Sequence, residues 1–411
     1  MSSIIINLGI IINMIITVTL AQQTILRCCH GSVLAEGRIY IGGGYTGDEN
    51  QDIILNDFVS FDVSVPFSST DMKYEVHANV PIKSVAHALV YAKSAKGGMI
   101  YLFGGYRKIP IGDPIYEYSL EKQAWSSITP KVNNGITMPI ESSTRIVGIT
   151  DSSLDTIYIF DNGTMYIYDV LNNFWNPGVI APYKLNYYGA VMLNTSEIAY
   201  IGGSDGTTNL PMNQILLYNT KLSLWYTKNA KSNGVMPSPR QGHTASIAPD
   251  GRIFIYGGFD GNEDALISSG SIPSFAVLER VGDEFVWSSP ELFNQSSVMR
   301  IYHTSHVVGD YLIVALGRNL THVRLNTIDL INIKSRDSYE IVTDFTPSPV
   351  SSQATLPITP ITSSPPISSS SLSKNTIILA TVFSTSVFFV IIASAFYLKL
   401  YYQRRNIFPT A

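Results

Sequence analysis

Only two of the 411 residues are cysteine, and they stand side by side at Cys28 and Cys29. That excludes the spaced disulfide framework that holds many small secreted domains. Bonding neighbours to each other would strain the short ring, and successive strand side chains point to opposite faces. The pair therefore reads as two buried thiols in the first strand, and packing must hold the fold. Charge is sparse too: 14% of residues are charged and the net charge is -4, which leaves no basic field to attract nucleic acid. The G-x-S-x-G elbow, the H-E-x-x-H helix, the EF-hand loop and the P-loop are all missing. Neither a metal nor another cofactor is expected, and the reading is non-enzymatic.

What is present is apolar and repetitive. With 45% apolar and 11% aromatic residues the chain can bury a large core. Length alone suggests more than one domain, but the internal repeat argues for one. In its clearest copy, Arg240 to Gly258, Ser246 and Ile247 belong to a short strand and Pro249-Asp250-Gly251 turns the chain. Ile253-Phe254-Ile255-Tyr256 forms a buried second strand, ended by Gly257-Gly258, where side chains would clash. The same order returns as Arg27-Cys28-Cys29-His30, Gly37-Arg38-Ile39-Tyr40-Ile41 and Gly43-Gly44.

Further copies run through His87 to Gly105, Thr156 to Trp175, Ile198 to Trp225 and Arg300 to Tyr339. The third has Asp161-Asn162-Gly163 where a glycine pair is expected, and the sixth keeps only Gly317. Aromatic residues in the fourth-strand position, Tyr74, Trp125, Trp175, Trp225, Trp287 and Tyr339, recur about every fifty residues, a period of four-stranded propeller blades. One such sheet cannot cover both its faces, whereas sheets set around an axis cover one another.

These glycine pairs, the third-strand ends Phe61-Asp62 and Tyr168-Asp169, and the spaced tryptophans resemble the kelch-repeat β-propeller family over Arg27 to Phe345. The resemblance implies an all-β, six-bladed kelch-type propeller over 22–345. Galactose oxidases are similar over the propeller, and that likeness implies a copper site built from Tyr and His with a Cys-Tyr cross-link. Here Cys28 and Cys29 lie in the first module and no further domain follows to supply a His, so a carbohydrate oxidoreductase is the alternative only. The aspartate boxes of sialidase propellers are missing. His30, His87, His243 and His303 hold equivalent first-strand positions, and the expected role is local pairing. His303 and His306, three apart, face opposite ways.

Outside the repeat, 1–21 is an apolar run ending in Thr19-Leu20-Ala21 and reads as a cleaved signal peptide, although it lacks Lys and Arg. Residues 346–374 are rich in Ser, Thr and Pro and read as a glycosylated stalk. Residues 375–398 carry no charge and are long enough to span a bilayer; Lys399, Arg404 and Arg405 place the tail, 399–411, in the cytoplasm. The expected protein is single-pass, type I, at the plasma membrane or in the secretory pathway, with the propeller outside. Asn162, Asn194, Asn294 and Asn319 begin N-glycosylation sequons.

Loops after the glycine pairs share one face and carry Asp48, Glu49, Asp52, Arg107, Lys108, Asp205, Asp260, Glu263 and Asp264. They read as a mostly acidic docking face for an extracellular protein or glycan, in adhesion or ligand recognition. A cell-wall or morphogenesis scaffold is a further alternative.

Overall fold

Ile253-Phe254-Ile255-Tyr256 has no polar face because both its faces are covered. Side chains alternate along a strand, so Ile253 and Ile255 pack with Ile215, Leu217 and Ala199 on one side. Phe254 and Tyr256 pack with Leu312, Val314 and Ile331 on the other. Each fully buried side chain of this size contributes roughly 1.5–3 kcal/mol, so a doubly covered strand is a major source of stability.

The computed structural model describes residues 26–47, 53–107, 115–132, 146–261, 269–270, 272–295 and 299–348. The expected signal peptide, membrane helix and tail, and all of the expected stalk beyond Ser348, lie outside the described residues. Among the described residues the structure is all β, and no helix is long and apolar enough to cross a membrane.

Each copy of the repeat folds as four antiparallel strands, and the fourth and fifth copies are joined edge to edge into one nine-stranded sheet. The first contains Gly31–Ala35, Arg38–Gly42, Phe58–Asp62 and Glu75–Val76; the second Ala88–Ser94, Gly97–Phe103, Ile115–Ser119 and Ala124–Ile128. The third contains Gly148–Thr150, Thr156–Asp161, Thr164–Asp169 and Phe174–Ile180; the fourth Gly189–Met192, Glu197–Ile201, Gln214–Asn219 and Leu224–Ser232. The fifth contains Gln241–Ile247, Ile253–Asp260, Phe275–Val281 and Glu284–Ser288; the sixth Thr304–Val308, Tyr311–Ala315, Ile328–Asn332 and Tyr339–Val342. First strands lie side by side in chain order, and Thr304–Val308 returns to touch Gly31–Ala35. A separate apolar cluster fills each of the contacts between neighbouring sheets, from Tyr40 with Leu102 between the first and second to Ile39 with Leu330 between the sixth and first.

Neighbouring sheets are also tied through their edges. Lys131–Val132 runs parallel to Phe174–Trp175, Ala230–Ser232 to Phe285–Trp287, and Leu292–Phe293 to Tyr339–Glu340, so chain arriving from one sheet borders the next. The indoles of Trp125, Trp225 and Trp287 donate to the carbonyls of Ala78, Val179 and Met212 at 2.8–3.0 Å, each reaching back to chain from the preceding module. The last sheet joins the first differently. Asp344–Phe345 pairs antiparallel with Phe67–Ser68, and the Phe345 ring stacks on Phe67 at 4.7 Å. The Gly317 amide donates to the Arg27 carbonyl at 3.0 Å.

Three local expectations change. Cys28 and Cys29 precede the first strand, which starts at Gly31, and Cys29 has φ +59°. Tyr74 lies just before its strand. The strand from Ile253 runs through Gly257-Gly258 to Asp260, because Phe259 and Asp260 pair with Ser269–Gly270.

Candidate functional site

The glycine pairs and the Arg-x-x-His motif are one device seen from two sheets. At Gly202 (φ +58°) an added Cβ would lie 2.8 Å from His243 Cε1 and 3.0 Å from the Arg240 carbonyl, both on the next sheet. At Gly203 it would lie 2.9 Å from Tyr188 Cβ, on its own sheet. The pair is thus the slot into which two residues of the histidine position fit, one from each side. His243 Nε2 then bonds the Ile201 carbonyl at 3.1 Å. In the fourth sheet Tyr188 holds that position, and its hydroxyl donates to Phe160 O at 2.5 Å.

The arginines lock the same junctions. Arg240 and Arg27 are fully buried and donate to the carbonyls of Gly257 and Gly43 at 3.2 and 3.1 Å. Arg27 also forms a two-pronged ion pair with Asp57, and Arg300 one with Asp329 at 2.9 Å. Their own carbonyls accept from the preceding sheet: Gly203 N–H to Arg240, Gly258 N–H to Arg300, Gly317 N–H to Arg27. Expected local pairing of the histidines is therefore what the structure places there: His30 with Thr304, His303 with Thr244, His306 with Ser32, and His87 with Ser84. Among the described residues no group of three or more His, Cys, Asp or Glu is placed to hold a metal ion.

Immediately before the histidine position the chain takes a left-handed turn at Cys29, Ala86, Tyr187, Gly242 and Tyr302, with φ between 55° and 67°. These residues bond to one another around the axis. The amide of Ala86 donates to Cys29 O at 2.7 Å, Cys29 to Tyr302 at 3.0 Å, Tyr302 to Gly242 at 2.9 Å and Gly242 to Tyr187 at 3.2 Å. This belt rims a central cavity of about 510 Å³, lined by the first strands of all the sheets. Its walls include Val33, Val90, Ile149, Val191 and Val307, with Ser32, Thr244 and Ser246 on the side of the first, fifth and sixth sheets. Burial keeps the imidazoles here neutral: His87 and His306 are pushed down to about 4 and His243 to about 3.

Outward of the belt, on the face of the glycine-pair loops, Cys28, Val85, Phe259, Ile301 and Tyr302 form an apolar floor. The Arg318 guanidinium lies 5.1 Å over the Tyr302 ring. Around this floor the loops expose Tyr106 (45%), Ile53 (44%) and Val323 (52%). Sequence reasoning missed Arg318, Val323 and Arg324 because the sixth module has Leu316 where a first glycine was expected; position after Gly317 was the available signal.

Asp205 is exposed, and its carboxylate accepts from the amides of Thr207 and Thr208 at 2.8 Å each, which holds it below the usual carboxylate range. Asp260 ends its strand, and Asn209 of the Asp205 loop reaches the Phe259 carbonyl at 3.4 Å, so these two loops meet. Arg107 corrects the expectation of a solvent-facing loop charge: it is buried, with 8% exposure, and its positive charge bears on His87. Its long stem is covered as the chain turns in behind Tyr106. Asp48, Glu49, Asp52, Lys108, Glu263 and Asp264 lie outside the described residues. Of the sequon asparagines, Asn162, Asn194 and Asn294 are exposed, while Asn319 is half-buried and accepts from Thr321 Oγ1 and the Val323 amide.

Antiparallel four-stranded sheets around a central cavity, bolted by a Gly-Gly slot and a histidine, define a kelch-type β-propeller. The chain belongs to the Attractin/LZTR1 beta-propeller family, whose model matches residues 13–268. The chain is also similar to the kelch-type propeller YjhT, at 12% identity and a TM-score of 0.57, over 77% of this chain and 97% of that one. At that identity the likeness speaks for the fold alone. A search of curated proteins returned no match.

Proposed function

We propose that this is a recognition module: a six-bladed propeller held outside the cell on its Ser/Thr/Pro stalk and one membrane helix, binding a protein or glycan on the glycine-pair face. The observation that carries the proposal is the rim of exposed Tyr106, Ile53 and Val323 around an apolar floor. An exposed tyrosine among apolar side chains is the kind of anchor on which interfaces depend. The other end of the ring includes tight hairpins such as Asn219 to Leu224. A non-catalytic role agrees with His30, His243 and His303, whose Nε2 atoms are engaged in joining sheets. The exposed sequons at Asn162 and Asn194 agree with export.

Proximity labelling by the full-length chain on living cells tests the reading. A variant with Tyr106→Ala and Val323→Asp should lose labelling of its partners by about tenfold or more, the effect of losing about 1.4 kcal/mol. Leu222→Asp, at the opposite end, should label as the unaltered protein does. Unchanged labelling by the double variant, or equal loss in both, would sink the assignment of the face.

A further inference from the structure

We propose that Cys28 and Cys29 are a reversible redox pair, closing to a disulfide between neighbouring residues at the mouth of the propeller cavity. The Sγ atoms already stand 3.3 Å apart. Strand geometry would have sent the side chains to opposite faces, but the pair lies before the first strand and Cys29 is left-handed, so the backbone bends and the sulfurs converge. Cys29 lines the cavity and keeps 9% exposure, whereas Cys28 behind it has 2%. Among the described residues neither cysteine is in a disulfide.

With glutathione disulfide as the oxidant the step balances. The Cys29 sulfur gives up its proton and attacks one glutathione sulfur, breaking that S–S bond and releasing one glutathione thiol. The Cys28 sulfur, losing its own proton, then displaces the second glutathione from Cys29. The protein gives up two electrons, and the two protons leave with the two glutathione thiols. Consecutive Cα atoms are about 3.8 Å apart across a trans peptide, below the usual 4.4 Å minimum for a disulfide, so the bond is strained and easily reduced. Such a bond acts as a switch and not as a brace. Its state bears on the mouth directly: the Cys29 amide bonds Tyr302, the Cys29 carbonyl bonds Ala86, and Tyr302 carries Arg318.

The test uses the purified full-length chain, incubated with excess glutathione disulfide at mildly alkaline pH until the pattern stops changing. After unfolding, free thiols are capped with one alkylating reagent; the sample is then reduced and capped with a heavier one. Tryptic peptide 28–38 is weighed before and after reduction. The expected result is a peptide two hydrogens lighter than the dithiol, both cysteines carrying the second reagent, and return to the dithiol in excess reduced glutathione. In Cys28→Ser the remaining Cys29 should instead stop at a mixed glutathione disulfide. First reagent on both cysteines, a persistent glutathione adduct on the unaltered chain, a disulfide between two chains, or a bond that resists reduced glutathione would each overturn the proposal.

Discussion

At the scale of single residues, the glycines separate into two kinds that the sequence does not distinguish. Gly251 (φ +88°) has nothing within 4 Å of an added Cβ, so its role is the left-handed turn alone. Gly202 also has a positive φ, but a Cβ there meets His243, the Arg240 carbonyl and Met212. Gly251→Ala should therefore lower stability by about 1 kcal/mol, the left-handed penalty. Gly202→Ala should cost about 3 kcal/mol, because overpacking a sheet junction adds to that penalty. Urea unfolding of the full-length variants checks the difference, and equal midpoints would refute the slot. Leu316 shows the strain being tolerated: it holds the first glycine's place with φ +59° and is fully buried. Its side chain joins the cluster between the sixth and first sheets, which offsets the backbone penalty.

At the scale of elements, what was legible was whatever repeats. The apolar second strands, the Asp and Trp positions and the glycine pairs each recur, and the sheets form where those signals fall. The edge ties were not legible, since Lys131–Val132 is only two residues long and Ala230–Ser232 is the tail of a strand that already pairs within its own sheet. The same holds for closure, where two-residue strands pair across the whole sequence and the decisive contact is one ring on another. In the candidate site, Asp205 and Asp260 lie where loop position put them, on two loops that meet, but burial of Arg107 depends on neighbours that sequence does not reveal. Closure has a simple test. Phe345 is buried against Phe67 and Tyr311, so Phe345→Ala should destabilise the chain by about 3 kcal/mol or more. Thermal unfolding should show a loss far larger than for Val281→Ala, an exposed hairpin residue. Similar melting of the two variants would mean that the Asp344–Phe345 tie is dispensable.

At the scale of the whole molecule, the ring is held by imidazoles that fold only when neutral. His30, His87, His243, His303 and His306 are all depressed, first by burial, and then by Arg27 at His30, Arg107 at His87, Arg240 at His243 and Arg300 at His303. Because the folded values lie below the ordinary 6.5, the unfolded chain binds protons first as pH falls. The contribution of these groups is thus complete above about pH 6.5 and is lost progressively below it, for His87, His243 and His306 down to about pH 3–4. Within that window each histidine removes about 1.4 kcal/mol per pH unit, so several acting together exceed any single substitution. Asp62, Glu197 and Asp250, depressed by their hydrogen bonds and neighbouring arginines despite burial, begin to lose their contributions only as pH falls below their ordinary values of 3.8 and 4.5. The melting temperature of the full-length protein should accordingly be level between about pH 7 and 8 and fall steeply from about pH 6.5 to 4. His306→Asn removes one titrating group while leaving a partner for Ser32, and it should flatten the slope whatever it does to the level at neutral pH. A melting temperature that stays level to about pH 4.5 would show that the histidines do not bolt the ring.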